Sequence, residues 1–86
     1  MFYVYILQSE KTRQYYIGQT NNIEARLLRH NSGFEKFTQK GIPWTLLWKT
    51  EKPTRREALL LESKLKNLTR RRLENFINKY ASGREP

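Results

Sequence analysis

The sequence predicts an α+β domain: a three-stranded antiparallel or mixed sheet sandwiched by helices, in the order ββαβαα. Three observations lead there. The residues from Phe2 to Gln8 are rich in aromatic and β-branched types, as a strand requires. The second half of the chain holds two stretches with apolar residues at helical spacing. Between these regions Gly33, Gly41, Pro43 and Pro53 punctuate the chain where turns would fall. The 86 residues suffice for one small domain with one core. That domain is expected over residues 1–81, with 82–86 as a disordered tail.

Residues 2–8 read as a central strand. Phe2, Val4 and Ile6 share one face and Tyr3, Tyr5 and Leu7 the other, so both faces are apolar. Ser9 to Arg13 is polar and reads as a turn. Gln14 to Gly18 then forms the second strand of an antiparallel hairpin. Thr20, Asn21 and Asn22 offer N-caps for a helix with Ile23, Leu27 and Leu28 as its apolar stripe, ending at Asn31-Ser32-Gly33. Residues 34–43 read as a loop and Trp44 to Thr50 as a third strand. Thr54 caps the strongest helix, Arg55 to Leu68. Ala58, Leu61, Leu65 and Leu68 line its inner face, and Leu59 and Leu60 widen it. Thr69 caps a last helix with Leu73, Phe76, Ile77 and Tyr80 at i, i+3, i+4 and i+7.

Composition narrows the chemistry. The net charge is +9, with 17 Lys and Arg against 8 acids, which suggests a polyanionic partner, nucleic acid first. The charge leans to the second half: residues 44–86 hold 11 Lys/Arg and 5 Glu, residues 1–43 hold 6 and 3. There is no cysteine, which removes disulfides, thiolate metal sites and a cysteine nucleophile, and fits a reducing cytoplasm. No segment approaches the ~18 apolar residues of a membrane span, and the N-terminus lacks the pattern of a signal peptide. All eight acids are Glu, and His30 is the one histidine. An aspartate-based two-metal site or a multi-histidine site therefore cannot be assembled. Phosphodiester cleavage here would rest on one Glu, helped by Tyr, Arg, Lys and His.

Candidate residues follow from placement. If the hairpin pairs residues whose numbers sum to 21 or 23, Tyr5 and Tyr16 share a face, opposite or diagonal. Their hydroxyls would then meet at one edge, although tyrosine is also an ordinary strand residue. Asn22, Arg26 and His30 are spaced i, i+4 and i+8 and stack on one helix face, which equally suits a solvated surface. Gly18 would let the backbone approach a ligand closely. Glu62 stands among leucines, either as a lone carboxylate for Mg²⁺ or Mn²⁺ or as the ion-pair partner of Lys66 four residues on. Arg70, Arg71 and Arg72 open the last helix, where cations oppose the helix dipole, so they suit phosphate binding as well as solvation.

Together these pieces resemble the GIY-YIG nuclease superfamily, of the small stand-alone type related to the N-terminal domain of an excision-repair endonuclease subunit. Tyr3-Val4-Tyr5 stands for the first tripeptide, with Tyr in place of Gly. Tyr16-Ile17-Gly18 matches the second in full. The stretch from Gly18 to Gly33 looks like the family's helix with its catalytic Arg, here Arg26. Thr38 with Gly41-Ile42-Pro43-Trp44 resembles the next segment, and Ala58 to Arg70 resembles the metal-binding Glu helix. Gln19 stands where the excision-repair relatives carry Lys.

The resemblance implies one-metal phosphodiester hydrolysis. Glu62 would hold one Mg²⁺ or Mn²⁺, Arg26 would clamp the phosphate, a tyrosinate at Tyr5 or Tyr16 would deprotonate water, and His30 would assist. Nucleic-acid contacts are expected from Gly18, Asn22, Arg29, Thr38, Lys40, Lys66, Arg70, Arg71 and Arg72. The expected partner is nucleic acid, DNA ahead of RNA, with no membrane and no small-molecule cofactor, acting as a monomer or weak dimer. Two rival readings share the charge: a nucleic-acid-binding module without catalysis, and a subunit that meets an acidic protein.

Overall fold

The computed structural model describes residues 1–80. Its elements are β1 (Phe2–Ser9), β2 (Tyr15–Thr20), α1 (Ile23–Asn31), a short 3-10 turn at Gln39–Gly41, β3 (Trp44–Lys52), α2 (Arg55–Lys66) and α3 (Arg70–Lys79). The order is ββαβαα. All strands are antiparallel and run β2-β1-β3 across the sheet. The tail expected at 82–86 lies outside the described residues.

Strand β1 is central because both its faces are apolar. Val4 and Ile6, with Ile17 and Trp48, pack against Ala58 and Leu65 of α2 and Leu73 of α3. Tyr5 and Leu7, with Trp44, pack on the opposite side against Ile23 and Leu27 of α1. Truncating Leu65, which is 1% exposed, to alanine would cost roughly 2–5 kcal/mol.

Strand β3 serves both layers through an irregularity. Ile6 faces Trp48 but Leu7 faces Leu46, so Leu47 is an extra residue. One inserted residue reverses the side-chain alternation. Leu46 and Trp44 therefore turn toward α1, and Trp48 turns toward α2 and α3.

Asn22, Thr54 and Thr69 cap the three helices, each accepting from the backbone N–H three residues on. Three apolar assignments differ from the expectation. Leu28, Leu59 and Leu60 are 71%, 43% and 62% exposed. Each helix buries a stripe rather than half its circumference. In α1 the stripe is Ile23, Leu27 and His30, at i, i+4 and i+7, and His30 is 1% exposed. Helix α2 ends at Lys66, two residues before Leu68, where Asn67 takes the C-cap. Among the described residues no helix is long and apolar enough to cross a membrane.

Candidate functional site

The site grows from the hairpin register. Tyr5 pairs with Gly18 and Leu7 with Tyr16, so paired numbers sum to 23 and Tyr16 lies diagonal to Tyr5 on one face. Their ring centroids are 6.3 Å apart. The Tyr5 ring crosses directly over Gly18: a Cβ there would stand 2.5 Å from the phenolic oxygen. The space that the sequence reading reserved for a ligand above Gly18 is taken by Tyr5.

The Tyr5 hydroxyl does not lie at an open edge. Tyr5 is 2% exposed, and its oxygen lies 3.1 Å from Nε2 of His30. The other ring nitrogen, Nδ1, lies 3.0 Å from Oγ1 of Thr38. Thr38 donates its hydroxyl proton to the Glu35 carbonyl at 3.4 Å, which leaves Oγ1 to accept from His30 Nδ1–H. His30 Nε2 is then bare and accepts the proton of Tyr5. One direction of donation thus runs from Tyr5 through His30 and Thr38 to the backbone of Glu35. Burial holds His30 below the usual imidazole range, and the charges of Arg26 and Arg29 add to this against Glu35. Neutral His30 matches its role as acceptor.

Burial also pushes the Tyr5 phenol well above its ordinary range, and repulsion from Tyr16 adds to it. The Arg26 guanidinium opposes the shift by its charge and by hydrogen bonding to the phenol, while the Glu62 carboxylate raises it. Arg26 of α1 and Glu62 of α2 therefore both act on one buried hydroxyl. Burial thus makes Tyr5 a phenol that keeps its proton. Tyr16 is half-buried, with its ring edge-on to His30 at 4.7 Å and 6.3 Å from Trp44.

The wall behind this cluster is tied down twice. Asn31 at the end of α1 accepts from the Trp44 backbone N–H at 2.6 Å and donates to its carbonyl at 3.1 Å. The Trp44 indole N–H donates to the Thr38 carbonyl at 2.7 Å. Thr38 is 1% exposed, so it braces His30 instead of facing a nucleic acid.

The cationic candidates differ in freedom. Arg29 pairs with Glu35 at 2.6 Å. Lys66 pairs with Glu62 Oε2 at 2.9 Å. Arg70 lies over the Tyr15 ring at 4.6 Å, donates to the Arg13 carbonyl and approaches Glu74 at 3.5 Å, which gives it a structural reason beyond phosphate binding. Arg71, Arg72 and Lys40 are exposed. Asn22 is exposed but its side chain is used as the α1 cap.

A metal site here has few donors. Among the described residues no group of three or more His, Cys, Asp or Glu comes together. That rules against an all-protein cage of the zinc type. The Glu62 side chain is 15% exposed and offers one hard carboxylate whose charge is felt at the Tyr5 phenol. Such a donor set fits Mg²⁺ or Mn²⁺, which keep several waters and take one or two carboxylates. Sequence reasoning missed Phe34 and Phe37, 81% and 88% exposed, the latter with its ring 6.2 Å from Tyr16. Two phenylalanines in a polar loop were the available signal.

Comparison with known proteins gives a consistent picture. The family model described as the GIY-YIG catalytic domain matches residues 1–81. The UPF0213 protein of Bacillus licheniformis is 40% identical over 76 residues, covering 87% of this chain and 77% of that protein. The UPF0213 protein of Streptococcus pneumoniae is 34% identical over 77 residues, covering 88% and 77%. The solution NMR structure of the UPF0213 protein from Bacillus halodurans shares the fold with a TM-score of 0.63. It is 31% identical and the match covers 94% of this chain and 87% of that one.

Proposed function

The chain belongs to the GIY-YIG family, a family of nucleases, and from that premise we propose that it is a metal-dependent endonuclease that hydrolyses phosphodiester bonds in nucleic acid, DNA ahead of RNA. The observation that carries this reading is the Arg26 guanidinium on the buried Tyr5 hydroxyl, within reach of the Glu62 carboxylate's charge and beside half-buried Tyr16.

Each residue has a part. Tyr5 keeps its proton and spends it on His30, so it orders the site as a neutral donor. Tyr16 is the phenol left to accept a proton from the attacking water. An ordinary phenol has a pKa near 10, so ionising it at pH 7 costs roughly 4 kcal/mol. The Arg26 guanidinium, which hydrogen-bonds the neighbouring Tyr5 phenol, can meet charge that builds on the phosphate. Glu62 would hold one Mg²⁺ or Mn²⁺, and the bound ion supplies charge stabilisation at the phosphate and its leaving oxygen. Lys40, Arg71 and Arg72, all exposed, add sequence-independent attraction for the backbone.

The test is cleavage of labelled DNA and RNA of several structures, with Mg²⁺, Mn²⁺ or chelator, comparing the natural protein with Glu62→Gln. Metal-dependent cleavage by the natural protein and none by the variant is the expected outcome. The variant keeps its fold, because a pair whose lysine is 55% exposed contributes at most about 1 kcal/mol.

One observation favours a second reading. Lys66 already occupies Glu62 Oε2, which suits a nucleic-acid-binding module without catalysis. That reading requires salt-sensitive binding by both proteins and cleavage by neither.

A further inference from the structure

Phe37 is the most exposed large apolar residue among the described ones, at 88%. Its neighbours set it apart from a stray surface side chain. It borders two clefts that meet at Tyr15. One, of about 590 Å³, is also lined by Thr12, Gln14, Lys40 and Arg70. The other, of about 300 Å³, is also lined by Tyr16, Leu65, Lys66 and Leu68. Both reach residues of β2, an edge strand with no partner on its outer side among the described residues. The clefts thus join a flat apolar face to cations on either flank, next to the tyrosine assigned as proton acceptor.

That combination fits one chemistry. A nucleobase offers a π-face to an aromatic ring and brings a phosphate on each side. An apolar protein segment would use the ring but not the cations, and the rims named above contain no acid. We propose that Phe37 is a stacking platform for an unpaired nucleobase, with Lys40 and Lys66 attracting the phosphates that flank it. The inference rests on the nucleic-acid reading above and deepens it: the bound strand presents a base outside a duplex stack. Phe37 itself stays clear of the reacting atoms and acts in binding.

The experiment is fluorescence anisotropy in chelator, so that binding is read without cleavage. The probes are a labelled single strand of about ten nucleotides and the same strand with abasic sites at its centre. The natural protein is expected to prefer the base-containing strand by about tenfold or more. Phe37→Ala is expected to abolish the preference while leaving affinity for the abasic strand unchanged, and Phe37→Trp to restore it. Because the ring is exposed, the alanine variant keeps its melting temperature. A preference that survives Phe37→Ala overturns the proposal. So does an equal loss on both strands, or no binding of either strand by the natural protein. Failure of the nuclease reading is separate: the preference can be present in a protein that never cleaves.

Discussion

Replacing Gly18 with alanine puts a methyl group 2.5 Å from the Tyr5 hydroxyl and 2.7 Å from the ring carbon that bears it. Ordinary contact begins near 3.4 Å, so the phenol must retreat by about 0.9 Å. It has little room: Tyr5 is 2% exposed, with the rings of Tyr16 and His30 6.3 and 6.1 Å away, centroid to centroid. A shift of that size is enough to take the 3.1 Å bond to His30 out of hydrogen-bond range. Overpacking costs about 1–3 kcal/mol, and a buried donor left unpaired costs about 1–3 more. Removing glycine from a strand returns about 0.5–1 kcal/mol. The net expectation is a loss of ~1–5 kcal/mol, with Tm falling roughly 4–8 °C for each kcal/mol. If the cluster acts in cleavage as proposed, a displacement near 1 Å lowers the rate by about a hundredfold. Thermal unfolding by circular dichroism and single-turnover cleavage read the two effects. In a Tyr5→Ala background the same substitution should cost almost no stability. An alanine variant with unchanged Tm and rate would refute the tight seating of Tyr5 on Gly18.

Two further outcomes follow from the same cluster. Thr38→Val leaves His30 Nδ1–H without its acceptor and should cost about 1–3 kcal/mol in urea unfolding, whereas Thr38→Ser should recover most of it; no loss in Thr38→Val would mean that the Thr38 hydroxyl is not the acceptor His30 depends on. The pH dependence has a definite sign. Folding lowers the His30 pKa below its usual 6.5, so the unfolded chain binds more protons. Stability from His30 is present above about pH 6.5 and declines as pH falls from there toward the lowered folded value, where imidazolium can no longer accept from Tyr5. Urea midpoints at pH 8, 7, 6 and 5 should show that decline, and His30→Gln should flatten it; an equal slope in the variant would assign the effect to carboxylates.

Much of the fold was legible because strand and helix periods are short-range signals. The two apolar faces of β1 and the stripe Leu73, Phe76, Ile77 of α3 could be read from spacing alone. Register was narrowed to two choices by asking that Tyr5 and Tyr16 share a face, and the chain adopts the diagonal one. Leu47 was not legible as an extra residue, because an irregularity in β3 is set by what each half of the strand must cover. Leu59 and Leu60 misled because a run of leucines marks a helix without saying which of them the sheet reaches. The candidate site was legible as a set of residues but not as a network. Tyr5 and His30 are 25 positions apart, and nothing local tells that a threonine eight residues past His30 will fix its tautomer. Spacing likewise placed Asn22, Arg26 and His30 on one face, whereas the structure makes Asn22 a cap and buries His30.

The reversal at Leu47 also leaves the molecule with a pair of native optical probes. Its two tryptophans sit on opposite sides of one sheet, Trp44 near Tyr16 and Trp48 against Phe76, whose ring is 5.0 Å away. Indole emission responds to its immediate surroundings, so each single-tryptophan form watches a different half of the molecule. Trp48→Phe is the gentler exchange, since its indole N–H is buried with no partner among the described residues. The remaining Trp44 then reports on the tyrosine cluster, free of signal from the helical layer behind the sheet.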